Sequence, residues 1–99
     1  MNIEVSMLSK EYKTDLRTFV EEKVSGLVKF NDRLNSIRAV LDQQHDDHMV
    51  ELVAKVDGVD PMVIEQKGEN PRAAVDMAVE RMGRTLRKQR EKVMDARRR

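Results

Sequence analysis

The spacing of apolar residues changes along this chain, and that change restricts the fold more than any other feature of the sequence. Val50, Leu52, Ala54 and Val56 occupy every second position, with Glu51, Val53 and Lys55 between them, the pattern of a strand that buries one face. From Pro71 onward, Val75, Ala78, Val79, Met82 and Leu86 instead fall on one stripe of a helix, and Val93 continues it more weakly across Gln89. A chain carrying both periods has to pack helix stripes against a sheet face.

The same reading places the other elements. Met1-Asn2-Ile3-Glu4-Val5 alternates and is expected to be the first strand, whereas Leu16, Phe19, Val20, Val24 and Leu27 form a helical stripe with Phe30 at its margin. Thr14 is the expected N-cap of that helix. Asn31-Asp32-Arg33 and Asn35-Ser36 break the pattern. A second strand runs from about Ile37 to Asp42, His45-Asp46-Asp47-His48 reads as a polar turn, and the strand through Val50 to Val56 ends at Asp57-Gly58 and Asp60-Pro61. Met62 to about Lys67 is the last strand. Asn70 then caps a long helix with Pro71 at its first position, where the missing N–H costs nothing. About 27 residues of helix reach roughly 40 Å, against about 20 Å for a six-residue strand, so the last turns are expected to overhang the sheet.

This order predicts an α+β two-layer sandwich, β-α-β-β-β-α, with a four-stranded sheet and both helices packed on one face. The first two strands are expected to be parallel through a right-handed crossover, and the later ones to pair as hairpins. Residues 1–96 read as a single domain and Arg97-Arg98-Arg99 as a basic, disordered tail. With only one Tyr, two Phe and no Trp, the core must rest on Val, Leu, Ile, Met and Ala.

Several function classes are disfavoured. The absence of Cys removes disulfides and thiolate chemistry, and no leader-like start or membrane-length apolar run is present. A cytoplasmic location is expected. No Gly-rich phosphate loop and no activated Ser or Thr is recognisable, so neither an enzyme nor a cofactor is expected. His45-Asp46-Asp47-His48 holds metal-ligand residue types, but a tight turn converges only some of them and no other His could complete a site. It reads as a polar loop.

Charge is distributed unevenly. Up to Val79 there are ten Lys and Arg against fifteen Asp and Glu; from Glu80 to Arg99 there are nine against three. Such separation implies an anionic partner for the C-terminal part. At 100° per residue, Arg81, Arg84, Lys88 and Lys92 form one stripe away from the apolar one, flanked by Arg87 and Arg90. A row of cations suits a phosphate backbone, which it can grip without reading bases. The plainer alternative is a solvated helix whose cations complement the dipole, although such a face normally interleaves signs in i,i+4 pairs and here Glu91 is the one acid between residues 81 and 92. Lys29 and Arg33 on the first helix, with Lys23 at the margin of its apolar stripe, would widen the positive surface into a groove if the helices lie side by side. For Lys23, snorkelling over that stripe is the alternative. The scarcity of aromatics disfavours base stacking and favours a reader of shape and phosphate.

These residues also carry a resemblance. Ala73-Ala74-Val75-Asp76 followed by Arg81-Met82-Gly83-Arg84-Thr85-Leu86-Arg87-Lys88-Gln89-Arg90-Glu91-Lys92, together with Val20-Glu21-Glu22-Lys23-Val24 and Leu27-Val28-Lys29-Phe30, resembles the ribosome hibernation-promoting factor and ribosome-associated inhibitor family over nearly the whole chain. The resemblance implies the fold derived above and binding to small-subunit rRNA in the decoding channel, where messenger and transfer RNA would otherwise sit. By position it carries the family's RNA contacts onto Lys23, Lys29, Arg81, Arg84, Lys88 and Lys92; Arg87 and Arg90 join them by charge alone. The implied partner is the small ribosomal subunit, with no membrane and no small-molecule substrate, and the free protein is expected to be a monomer. Ser6-Met7-Leu8-Ser9 replaces the family's usual Gly-Arg segment after the first strand, Asn70-Pro71-Arg72 replaces Asp-x-Tyr, Gln89 stands where an apolar residue or Tyr is common, and the usual helix-one cap lies one residue before Thr14. Ending at Arg99, the chain is similar to short-form members, which lack an added dimerisation domain. The rival expectation is a protein-interaction module whose basic C-terminal helix binds an acidic partner.

Overall fold

The computed structural model describes residues 1–97. Its elements are β1 (Asn2–Met7), α1 (Thr14–Ser25), a 3-10 turn (Gly26–Phe30), β2 (Leu34–Gln44), β3 (Asp47–Val56), β4 (Met62–Gly68) and α2 (Pro71–Arg97). The β-α-β-β-β-α order is the expected one. α2 is described as far as Arg97; of the expected tail Arg97-Arg98-Arg99, the last two residues lie outside the described residues.

The sheet order is β1-β2-β3-β4. β1 runs parallel to β2 with Val5 opposite Ala39, while β2/β3 and β3/β4 are antiparallel with Ala39 opposite Leu52 and Leu52 opposite Ile64. Alternation therefore puts Val5, Ile37, Ala39, Leu41, Val50 and Leu52 on one buried face. Both helices cover that face. α1 lies against β1 and α2 against β3 and β4, contributing Leu16, Val20 and Val24 from one and Val75, Ala78, Met82 and Leu86 from the other to a continuous core.

Three local features differ from the sequence expectation. Thr14 is the first helical residue, and the cap position falls on Lys13, which is extended and makes no side-chain capping bond. Its carbonyl accepts the Leu16 N–H at 3.1 Å, so the backbone closes the first turn without a side-chain oxygen. The first helix also tightens after Ser25, whose hydroxyl donates back to Glu22 O at 2.8 Å, and continues as a 3-10 turn that buries Leu27. Finally, β2 has 11 residues and β3 has 10. Hairpin pairing between β2 and β3 draws Asp42 to Gln44 and Asp47-His48 into the ladder, leaving His45 and Asp46 as a two-residue loop.

At the second helix the expected cap is present. Asn70 Oδ1 accepts the N–H groups of Arg72 (2.9 Å) and Ala73 (3.3 Å), two of the first-turn donors that have no partner within the helix. Among the α2 residues whose burial is described, Leu86 is the last fully buried one; Gln89 and Val93 are half-buried, and Arg87, Lys88, Arg90, Glu91 and Lys92 are exposed. The helix thus leaves the core after Leu86, consistent with molecular dimensions of 51 × 21 × 18 Å. No helix among the described residues is long and apolar enough to cross a membrane.

Candidate nucleic-acid interface

α2 aims its cations because its apolar stripe is pinned. Gly83 is buried where Phe30 crosses the helix, and a Cβ there would lie 3.0 Å from the ring, so the small residue lets the 3-10 turn close on α2. Beside it Asn31, only 2% exposed, donates from Nδ2 to Leu86 O (3.2 Å) and accepts the Arg33 N–H on Oδ1 (3.0 Å). Both halves of the buried amide are satisfied, as burial requires. These contacts fix the rotation of α2 at the point where it leaves the core. Sequence reasoning placed Asn31 only in a turn and gave Gly83 no role; nothing in the linear pattern brings either beside its partner.

The expected cationic residues fall into three groups. Arg81 lies over β4, donating from Nη1 to Glu65 O (2.7 Å) and to Gln66 Oε1 (2.9 Å). Arg84 pairs with Glu80 one turn earlier at 2.9 Å, both side chains more than half exposed. Arg87, Lys88, Arg90 and Lys92 are all exposed and make no ion pair among the described residues. Four cations against one acid, Glu91, in six residues, none of the four ion-paired among the described residues, give this stretch a positive potential.

The α1 side differs from the expected positive groove. A groove of about 350 Å³ does separate the end of α1 from α2, but Lys23 and Lys29 share it with Glu22, Asp76 and Glu80. Lys23 pairs with Asp76 at 3.2 Å and its ammonium lies 5.5 Å from the Phe19 ring centre, while Lys29 sits 5.2 Å from that of Phe30. Acids from α2 cross to this side because Asp76 and Glu80 occupy the helix face turned toward α1. The groove is of mixed sign, and the positive surface belongs to the outer part of α2.

At the opposite end of the sheet, His48 Nδ1 is hydrogen-bonded to the Tyr12 hydroxyl at 2.7 Å. The Tyr12 pKa is raised, first by burial and then by the negative charge of Asp42. Among the described residues no three His, Asp or Glu side chains converge to hold a metal ion. Leu8, in the segment that departs from the family pattern, continues the β1 pairing through its N–H to Leu41 O (2.9 Å) and exposes its side chain.

Comparison with known proteins agrees with this fold. The chain is 27% identical to a ribosome hibernation promoting factor from Azotobacter vinelandii over 95 residues, covering 96% of this chain and 88% of that protein. Its fold superposes on a ribosomal subunit interface protein from Coxiella burnetii with a TM-score of 0.82, at 16% identity over 92% of this chain and 99% of that one. The N-terminal domain of Protein Y from Thermus thermophilus gives 0.78, at 23% identity over 89% and 98%. A family model described as Sigma 54 modulation protein / S30EA ribosomal protein, a class of ribosome-associated factors rather than enzymes, matches residues 3–94. With the match spanning both helices and all four strands, the chain belongs to the Sigma 54 modulation protein / S30EA ribosomal protein family.

Proposed function

We propose that this protein is a hibernation factor that docks the exposed basic face of α2 onto small-subunit rRNA in the decoding channel and excludes messenger and transfer RNA by occupying their space. The observation that carries this reading is the run Arg87, Lys88, Arg90 and Lys92, which leaves the core on a rigid helix and has no acidic partner among the described residues. Phosphates supply the missing counter-charges, and each one neutralised releases condensed counterions. Arg84 joins them readily, because an exposed i,i+4 pair is worth only about 0.3–0.5 kcal/mol and a phosphate can replace Glu80. Lys23 and Lys29 lie at the margin of the contact, already facing carboxylates. The hibernation factor name of the Azotobacter vinelandii relative supports the same reading. The action is stoichiometric and cytoplasmic, without a catalytic step.

The test is sucrose-gradient co-sedimentation of the purified protein with isolated ribosomal subunits, comparing wild type with Arg84→Glu/Lys88→Glu. Wild type is expected in the small-subunit peak and the variant at the top of the gradient. If neither binds, the reading fails and an acidic protein partner for α2 takes its place; if the variant binds as wild type does, the contact lies elsewhere.

A further inference from the structure

Both outer strands of the sheet have a row of backbone groups facing away from their neighbour, and the register fixes which ones. Leu8 donates its N–H to Leu41 O at 2.9 Å, so by alternation Glu4 and Ser6 direct their backbone groups toward β2 while Val5 directs its own outward. At the other edge, the two-residue loop makes Gln44 and Asp47 a mutually bonded pair. Alternation along β3 then turns Val50 and Leu52 toward β4, where they meet Gln66 and Ile64. Val63, Glu65 and Lys67, between those positions, have their N–H and C=O groups on the free edge.

At each edge an arginine from the overlying helix occupies one of the outward carbonyls. Arg17 of α1 donates to Val5 O at 2.6 Å, and Arg81 of α2 donates to Glu65 O at 2.7 Å. Each acceptor lies near the middle of its strand, Val5 in Asn2–Met7 and Glu65 in Met62–Gly68. Two helices unrelated in sequence thus deliver the same charged donor to the same kind of acceptor. A guanidinium lodged at mid-edge interrupts the row of groups that an incoming strand would need, and bonds to a charged donor are among the stronger ones.

We propose that Arg17 and Arg81 are edge locks, and that the β4 edge held shut by Arg81 is a latent pairing surface for β4 of a second copy of this chain. The charge order of β4 selects that partner. In an antiparallel β4–β4 pair that sets Gln66 opposite Gln66 of the second copy, Glu65 faces Lys67 of the other copy, and two-fold symmetry repeats the pair. Val63, 54% exposed on the same face, flanks it. β1 has no equivalent, because Glu4 is its one charged residue.

Sedimentation velocity over a concentration series, without ribosomes or RNA, tests the proposal independently of any ribosomal role. Wild type is expected at the 11.5 kDa mass of one chain and Arg81→Ala at twice that mass. Adding Lys67→Glu, which sets like charges across the pair, should return the variant to one chain, and further adding Glu65→Lys should restore the dimer. Circular dichroism checks that each variant is folded; should Arg81→Ala unfold, Arg81→Lys, which keeps the stem and charge but loses the forked donor, takes its place in the same series. The proposal is overturned if folded Arg81 variants sediment as one chain throughout, if the dimer is indifferent to Lys67→Glu, or if wild type is already dimeric.

Discussion

Removing Arg84 and Lys88 together, as alanines, should change the salt dependence of small-subunit binding by an amount that the exposed face of α2 sets. Arg84, Arg87, Lys88, Arg90 and Lys92 are exposed, and Arg84 alone of them has a carboxylate partner among the described residues. If each meets one phosphate, the slope of log Kobs against log salt is about −3.5 to −4.5, taking roughly 0.7 to 0.9 per phosphate. The double variant keeps three of the five, for a slope of about −2.1 to −2.7. Raising salt from about 50 to about 200 mM should then weaken wild type by about 100- to 500-fold but the variant by only about 20- to 40-fold. Stability should change by less than about 0.5 kcal/mol, because both side chains are on the surface and the Arg84–Glu80 pair contributes little. Fluorescence anisotropy of labelled protein titrated with isolated small subunits at several salt concentrations measures the slopes, and urea unfolding checks the fold. Equal slopes for the two proteins, or a wild-type slope near zero, would refute the assignment of phosphate contacts to this face.

Other features give independent expectations. Asn31→Ala removes the buried link between the turn and Leu86 O and should cost about 1–3 kcal/mol in urea unfolding; a smaller loss would mean that the helix exit is held by apolar packing alone. Gly83→Leu places a side chain where even a Cβ meets the Phe30 ring at 3.0 Å and should destabilise by about 1–3 kcal/mol through overpacking, measured the same way. Tyr12→Phe loses the 2.7 Å bond to His48 and should cost roughly 1 kcal/mol near neutral pH. Since the folded-state pKa of Tyr12 is raised, its contribution is complete below the unfolded phenol value and falls away as pH rises through the folded one. The stability gap between wild type and Tyr12→Phe should therefore narrow in alkaline solution; a gap that widens there would contradict the direction of the shift.

The sequence by itself determined the layers of this protein and the location of its charge. Apolar period separates helix from strand before any contact exists, so the β-α-β-β-β-α order, the buried stripe of α2 and the Asn70 cap were all legible, as was the concentration of cations after Glu80. Local signals were weakest where a neighbour makes the choice. The extra strand residues at Asp42 to Gln44 and Asp47-His48 exist because hairpin pairing satisfies their backbone, and no residue preference announces that. Tertiary structure alone divided the cations. Arg81 and Lys88 share a helical stripe, yet Arg81 passes over β4 and bonds to Glu65 O while Lys88 lies beyond the sheet in solvent. Lys23 meets Asp76 only because α1 and α2 are neighbours, which turns an expected positive groove into one of mixed sign. A periodicity gives the direction a side chain leaves its helix; what it reaches depends on the elements packed alongside, and those are set by contacts distant in sequence.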